Sequence, residues 1–131
     1  MKNKKRFYTI SFIIYSIIIF GVSSYPRLAI PIKLHSSLLE PDKIAHFIQY
    51  FIFALLYFKF RQNRGIGEKE ILCELFFLGM LIPIFDELHQ ILIPGRTFEW
   101  YDVVADLIGF YTFIISKIIQ KYILRRKNGN H

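Results

Sequence analysis

The sequence predicts an all-α fold: a four-helix transmembrane bundle with both termini cytoplasmic. Three observations point there. The chain is short yet 53% hydrophobic. Its apolar residues gather in four runs instead of alternating with polar ones. Its basic residues fall mostly on one side of those runs. At 131 residues it holds one domain, 1–131.

The first run, "FYTISFIIYSIIIFGV" (7–22), contains no charge. The second, "IAHFIQYFIFALLYF" (44–58), holds only His46 and Gln49 as strongly polar groups. The third, "ILCELFFLGMLIPIF" (71–85), carries one acid, Glu74. The fourth, "VVADLIGFYTFIISKII" (103–119), carries Asp106 and Lys117. Each falls short of the ~20 residues a spanning helix needs. Flanking residues extend them to spans at about 7–24, 43–60, 71–89 and 102–122. A soluble bundle would need a polar stripe on every helix. The first run offers only serines, a threonine and tyrosines. That run also resembles a signal peptide, with small residues Gly21, Ser23 and Ser24 behind it. It is long for such a core and no clear A-x-A site follows, so it reads as a span.

Net charge is +7, which raises nucleic acid as a partner. The distribution argues against it. With four crossings and a cytoplasmic N-terminus, thirteen of the seventeen basic residues lie inside. They are Lys2, Lys4, Lys5 and Arg6; Lys59, Arg61, Arg64 and Lys69; and Lys117, Lys121, Arg125, Arg126 and Lys127. Arg27, Lys33, Lys43 and Arg96 lie outside. This is the positive-inside pattern of a multi-pass membrane protein with both termini inside. The basic tail also suits an anionic inner leaflet, and frays in solution. Seven of the ten acids fall on the outer side.

The connections agree. Pro26, Pro31 and Pro41 keep the outer loop from becoming one helix. Pro94-Gly95 marks a turn between the third and fourth spans. Phe98, Trp100, Tyr101 and Tyr25 fall at the outer boundary, where amphipathic rings gather. Lone Cys73 reads as a buried thiol.

Helical phase then concentrates the polar groups. Residues four apart lie about 40° apart around a helix. Asp42, His46 and Tyr50 share a stripe of the second span. Asp86, His89 and Gln90 share a face of the third, and Asp102, Asp106, Gly109 and Phe113 one of the fourth. Alternating crossings bring all three to the outer end. Ionisable groups cost several kcal/mol in hydrocarbon, so they turn inward or pair. Pro83 removes an N–H from the third helix and bends it, aiming Asp86 and Glu87 into the bundle. Asp42 and Glu99 read as helix-start caps, Lys43 as an interfacial snorkel, and Glu74 as a partner of the inner basic loop. His35 and His131 stand apart and receive no role.

These residues resemble the VanZ-like family. "DKIAHFIQY" (42–50) supplies an Asp-Lys pair and a His-Phe pair. "DELHQILIPGRTFEWYDVVADLIG" (86–109) supplies Asp-Glu-x-x-Gln, Pro-Gly-Arg and an Asp-x-x-x-Asn-x-x-Gly start to the fourth span. The resemblance carries over to Asp42, Lys43, His46, Asp86, Glu87, Gln90, Arg96, Asp102 and Gly109. Asp106 departs, because the family usually has Asn there. His89 is not required by the pattern. The resemblance implies a small bacterial integral membrane protein whose namesake is associated with resistance to the lipoglycopeptide teicoplanin.

Three function classes compete. In the first, the outer polar site binds or acts on a lipid-linked or glycopeptide-type ligand among membrane lipids, such as a cell-wall precursor or teicoplanin. In the second, the chain is an enzyme on a lipid-linked envelope substrate. His46 would be general base with Asp86 orienting it, and Arg96 would hold an anionic headgroup. A divalent metal on His46, Asp86, Glu87 and Asp106 suits the residue types, though no H-E-x-x-H spacing supports it. No G-x-S-x-G nucleophile is present. In the third, the chain is a structural module whose polar groups glue the helices at about 0.6–2 kcal/mol each. Binding ranks first, since so many carboxylates exceed what glue requires.

Overall fold

A computed structural model describes residues 2–26 and 41–128. Four helices account for nearly all of them: α1 (Lys2–Ser23), α2 (Pro41–Gln62), α3 (Glu68–Gln90) and α4 (Trp100–Asn128). The expected all-helical architecture is present. Two helices, α1 and α2, are long and apolar enough to cross a membrane. Most of the proline-bearing loop lies outside the described residues, as do Arg27, Lys33, His35 and His131.

Each helix starts where its chemistry allows. Pro41 opens α2, where a missing N–H costs nothing, and Asp42 follows in the first turn. Glu68 and Glu70 sit in the first turn of α3 against its positive end. The carbonyl of Glu99 accepts from the N–H groups of Asp102 (3.0 Å) and Val103 (3.4 Å), closing the first turn of α4. Two expectations change here. The basic tail stays helical through Asn128, because Arg125, Arg126 and Lys127 oppose the negative end of the dipole. And α3 runs unbroken through Pro83.

Side-chain contacts fix an up-down-up-down arrangement. Ser23, at the end of α1, meets Asp86 and Gln90, at the end of α3. Lys43, at the start of α2, meets Asp102, at the start of α4. At the opposite end Arg61 meets Glu74.

The most extensive helix pair is α2 with α4. Its core is aromatic: Tyr50 and Phe53 lie 5.6 Å from Phe110, and Phe58 lies 5.7 Å from Phe113. Gly109 lets the backbones touch. A Cβ there would overlap the Phe47 carbonyl oxygen and lie 3.1 Å from the Phe51 nitrogen. Ile71 and Leu75 of α3 close the core. From α1, Phe12 packs its ring against Phe53, Tyr57 and Phe60, and the Tyr15 hydroxyl donates to the Gln49 carbonyl.

The outer surface is apolar. Ile17, Phe20, Phe85 and Leu92 are 61–78% exposed. Cys73 joins them and is exposed, not buried as expected, because its position on α3 faces away from the neighbouring helices. Glu74 meets the end of α2 instead of the loop that follows it: both its oxygens take the Arg61 guanidinium, and the Tyr57 hydroxyl donates at 2.9 Å. Both side chains are about a quarter exposed. Glu74→Gln should therefore lower stability by no more than about 1 kcal/mol, read as the thermal unfolding midpoint in detergent.

Candidate functional site

The polar residues from the three predicted stripes do converge at one end of the bundle. They are buried there. Lys43, Glu87, Gln90, Asp102 and Asp106 are at most 1% exposed and His46 is 8% exposed. They divide into two networks.

The first joins α2 to the start of α4. The Lys43 ammonium pairs with Asp102, donates to Glu99 Oε2 at 2.7 Å and lies 3.3 Å from Asp42. His46 Nδ1 meets Asp106 Oδ1 at 2.9 Å, and its Nε2 lies 3.7 Å from Asp102 Oδ2. Glu87 reaches across from α3, where its Oε2 accepts the Glu99 N–H at 2.9 Å. A carboxylate is well placed there, at the positive end of α4.

The second joins α1 to the end of α3. Ser23 donates to Asp86. Gln90 Nε2 donates to Ser23 Oγ at 3.2 Å and to Asp86 Oδ2 at 3.3 Å. Arg96 donates to Gln90 Oε1 at 2.6 Å and to the carbonyls of Val22 (3.0 Å) and Tyr25 (3.2 Å). Its guanidinium thus caps the last turn of α1. The turn that aims it depends on Gly95, whose φ of 79° few other residues accept. Tyr50 is buried between the networks, and its hydroxyl has no hydrogen-bond partner among the described residues.

Several pairings differ from expectation. Asp86 does not orient His46. It faces α1, while His46 faces α4, so Asp106 takes that role. Lys43 does not snorkel outward, because Asp102 and Glu99 hold its head inside the bundle. Glu99 is therefore an ion-pair partner as well as a helix-start residue. Within the chain, Arg96 meets the Gln90 side chain and two backbone carbonyls. His89 leaves the shared face and stacks on Phe20, with ring centroids 4.8 Å apart. The expected metal set does not assemble. Among the described residues, Asp42, His46 and Asp102 bring one donor atom each within 4.8 Å of one another. Ser23 was missed altogether, since a lone serine at the end of an apolar run carries no pattern.

Besides the Tyr50 hydroxyl, two buried oxygens, Glu87 Oε1 and Asp106 Oδ2, have no hydrogen-bond partner among the described residues, and Asp102 Oδ1 has only its ion pair with Lys43. The cluster thus holds acceptor capacity beyond what its own donors use.

The profile of the VanZ/LLP1 family matches residues 5–120. The chain belongs to the VanZ/LLP1 family. Comparison with curated proteins and with solved structures yields no match. The matched segment contains both polar networks and the Gly109 contact between α2 and α4.

Proposed function

We propose that this VanZ/LLP1 protein spans a bacterial cytoplasmic membrane four times, with both termini inside. Its polar outer end binds or acts on a lipid-linked or glycopeptide-type ligand and contributes to teicoplanin resistance. The observation that carries this reading is the inverted distribution of polarity. Five ionisable or amide side chains are essentially inaccessible at one end, while large aliphatic and aromatic side chains cover the outside. Water disfavours so large an apolar surface, and lipid does not. The charges on α3 and α4 fit a span as well. Glu74 is paired with Arg61, and Asp86, Glu87, Asp102 and Asp106 turn inward. Tyr25 and Trp100, both at least 70% exposed, mark the boundary at the polar end.

Ligand access fits the same end. A groove of about 530 Å³ runs along Ile18, Gly21, Val22, Tyr25 and Arg96. Its walls are apolar and its polar wall is a guanidinium. Three of the five Arg96 N–H donors are used among the described residues, which leaves two for an anionic headgroup. A second groove, at the opposite end between Glu68 and Asn128, touches none of the cluster.

An enzyme is the second reading, favoured by the His46–Asp106 pair. A carboxylate on Nδ1 fixes the tautomer whose Nε2 is a base.

The test is growth inhibition by teicoplanin in a susceptible host, with wild type, His46→Ala and Asp86→Asn at matched membrane levels. Wild type should raise the inhibitory concentration, and both variants should lose most of that protection. Full protection by both variants removes the polar end from function. No protection by wild type removes teicoplanin as the ligand. Binding retained with protection lost favours the enzyme.

A further inference from the structure

We propose that the inner end of the bundle holds an anionic phospholipid, its phosphate gripped by Lys117, Lys121 and Arg125 of α4. These residues fall four apart, so they follow one stripe of the helix. They line a groove of about 700 Å³ together with Glu68, the first residue of α3. The groove thus sits between the start of α3 and the last turns of α4, at the opposite end from the polar networks.

The charges there are unbalanced. Arg61, at the same end, has Glu74 to pair with. Among the described residues no acid pairs with Lys117, Lys121 or Arg125. Lys117 donates to Gln120 Oε1 at 2.8 Å and lies 4.7 Å from the centre of the Phe58 ring, and neither contact neutralises it. Glu68 alone among the described lining residues is acidic, and three cations face it. The helix start behind Glu68 has no side-chain cap, which leaves its positive end uncovered as well.

The neighbouring surface decides which anion fits. Ile118, Ile119, Tyr122 and Ile123 belong to the same turns as the cations and are 48–67% exposed. Leu124, in the groove wall itself, is exposed too. A nucleic acid or an acidic protein would take the charges and leave these side chains to water. A phospholipid takes both, with its phosphate on the cations and its chains along the apolar face. The height agrees. Its 29 residues make α4 about 44 Å long, against a hydrocarbon core of about 30 Å. The excess of about 14 Å, roughly nine residues, carries Lys121 and Arg125 into the headgroup layer. Lys117, one turn deeper, reaches that layer by its long stem.

This inference rests on the four-span reading above and not on the ligand proposed for the outer end. Extraction from membranes by detergent but not by alkaline carbonate checks the spanning separately. For the lipid, the full chain is purified in detergent and stripped of lipid. It is then titrated with phosphatidylglycerol or with phosphatidylcholine of the same chains, and bound lipid is counted by native mass spectrometry. Inorganic phosphate and a DNA oligonucleotide serve as competitors. Wild type should hold phosphatidylglycerol about tenfold more tightly than phosphatidylcholine, and neither competitor should displace it. Lys121→Gln/Arg125→Gln should remove that preference at an unchanged thermal midpoint, since neither side chain is buried. Arg126→Gln/Lys127→Gln makes the same change of net charge outside the groove and should keep the preference. Equal loss in both double variants overturns the site, because charge alone then explains the binding. So does equal affinity for the two lipids, or release of the lipid by phosphate or DNA.

Discussion

Lys43→Met will destabilise the protein by about 3–5 kcal/mol, the usual cost of removing one partner from a buried ion pair. Lys43 is 1% exposed, so its charge has no water to fall back on. Its ammonium serves Asp102 and Glu99 at once and lies beside Asp42. Methionine keeps much of the stem's volume and removes only the charge. Three carboxylates then face one another at the junction of α2 and α4, and Asp102 is almost wholly buried. The single tryptophan, Trp100, is two residues from Asp102, so its fluorescence reports unfolding at the right place. The expected result is a lower thermal midpoint for Lys43→Met and a partial recovery in Lys43→Met/Asp102→Leu. Recovery is expected because replacing both partners with apolar groups removes the orphaned charge. An unchanged midpoint in the single variant would mean that the Lys43 head reaches solvent, and the buried network would have to be redrawn.

Gly109→Leu should cost about 1–3 kcal/mol or more, and Gly109→Ala should already be felt. The obstacle is backbone. An added Cβ overlaps the Phe47 carbonyl oxygen and lies 3.1 Å and 3.2 Å from the Phe51 nitrogen and Phe47 carbonyl carbon. No rotamer change relieves that, so α2 and α4 must separate. The separation acts on the polar end, because His46 adjoins Phe47 and Asp106 lies three residues before Gly109. Two other glycines give an internal scale. At Gly79 a Cβ would lie 3.2–3.4 Å from the Cβ, Cγ and Cδ1 of buried Phe110, a tight contact but one with a side chain and looser than that at Gly109. At Gly21 it would meet nothing within 4 Å, and alanine there should gain up to about 1 kcal/mol of helix propensity. The expected order of midpoints is Gly21→Ala above wild type, then Gly79→Ala, then Gly109→Ala. A Gly109→Ala midpoint at or above that of Gly79→Ala would remove the close α2–α4 contact.

These effects differ in how far they were visible beforehand. The importance of Gly109 was legible, since it ends a family motif on a stripe with Asp102 and Asp106. Its contact with the Phe47 carbonyl was not. The burial of Lys43 was misread for a physical reason. A lysine near a helix end normally reaches for water, and only the carboxylates of a distant segment, Glu99 and Asp102, hold it inside. Nor were the carbonyls that Arg96 meets visible: those of Val22 and Tyr25 lie some 70 residues earlier, and no side-chain pattern announces a carbonyl.

The sequence by itself determined the all-helical architecture, its four helices, and the end of the bundle where the polar groups gather. Apolar run length and the 3.6-residue period depend on neighbours along the chain, so one sequence suffices for them. The tertiary structure alone decided the pairings: His46 with Asp106 instead of Asp86, Asp86 with Ser23, Glu87 with the start of α4. Helical phase says which residues share a face. It does not say which neighbour that face meets or at what height, because rotation and offset between helices are set by packing. Here Gly109, by bringing α2 against α4, sets that height and so places His46 between Asp102 and Asp106.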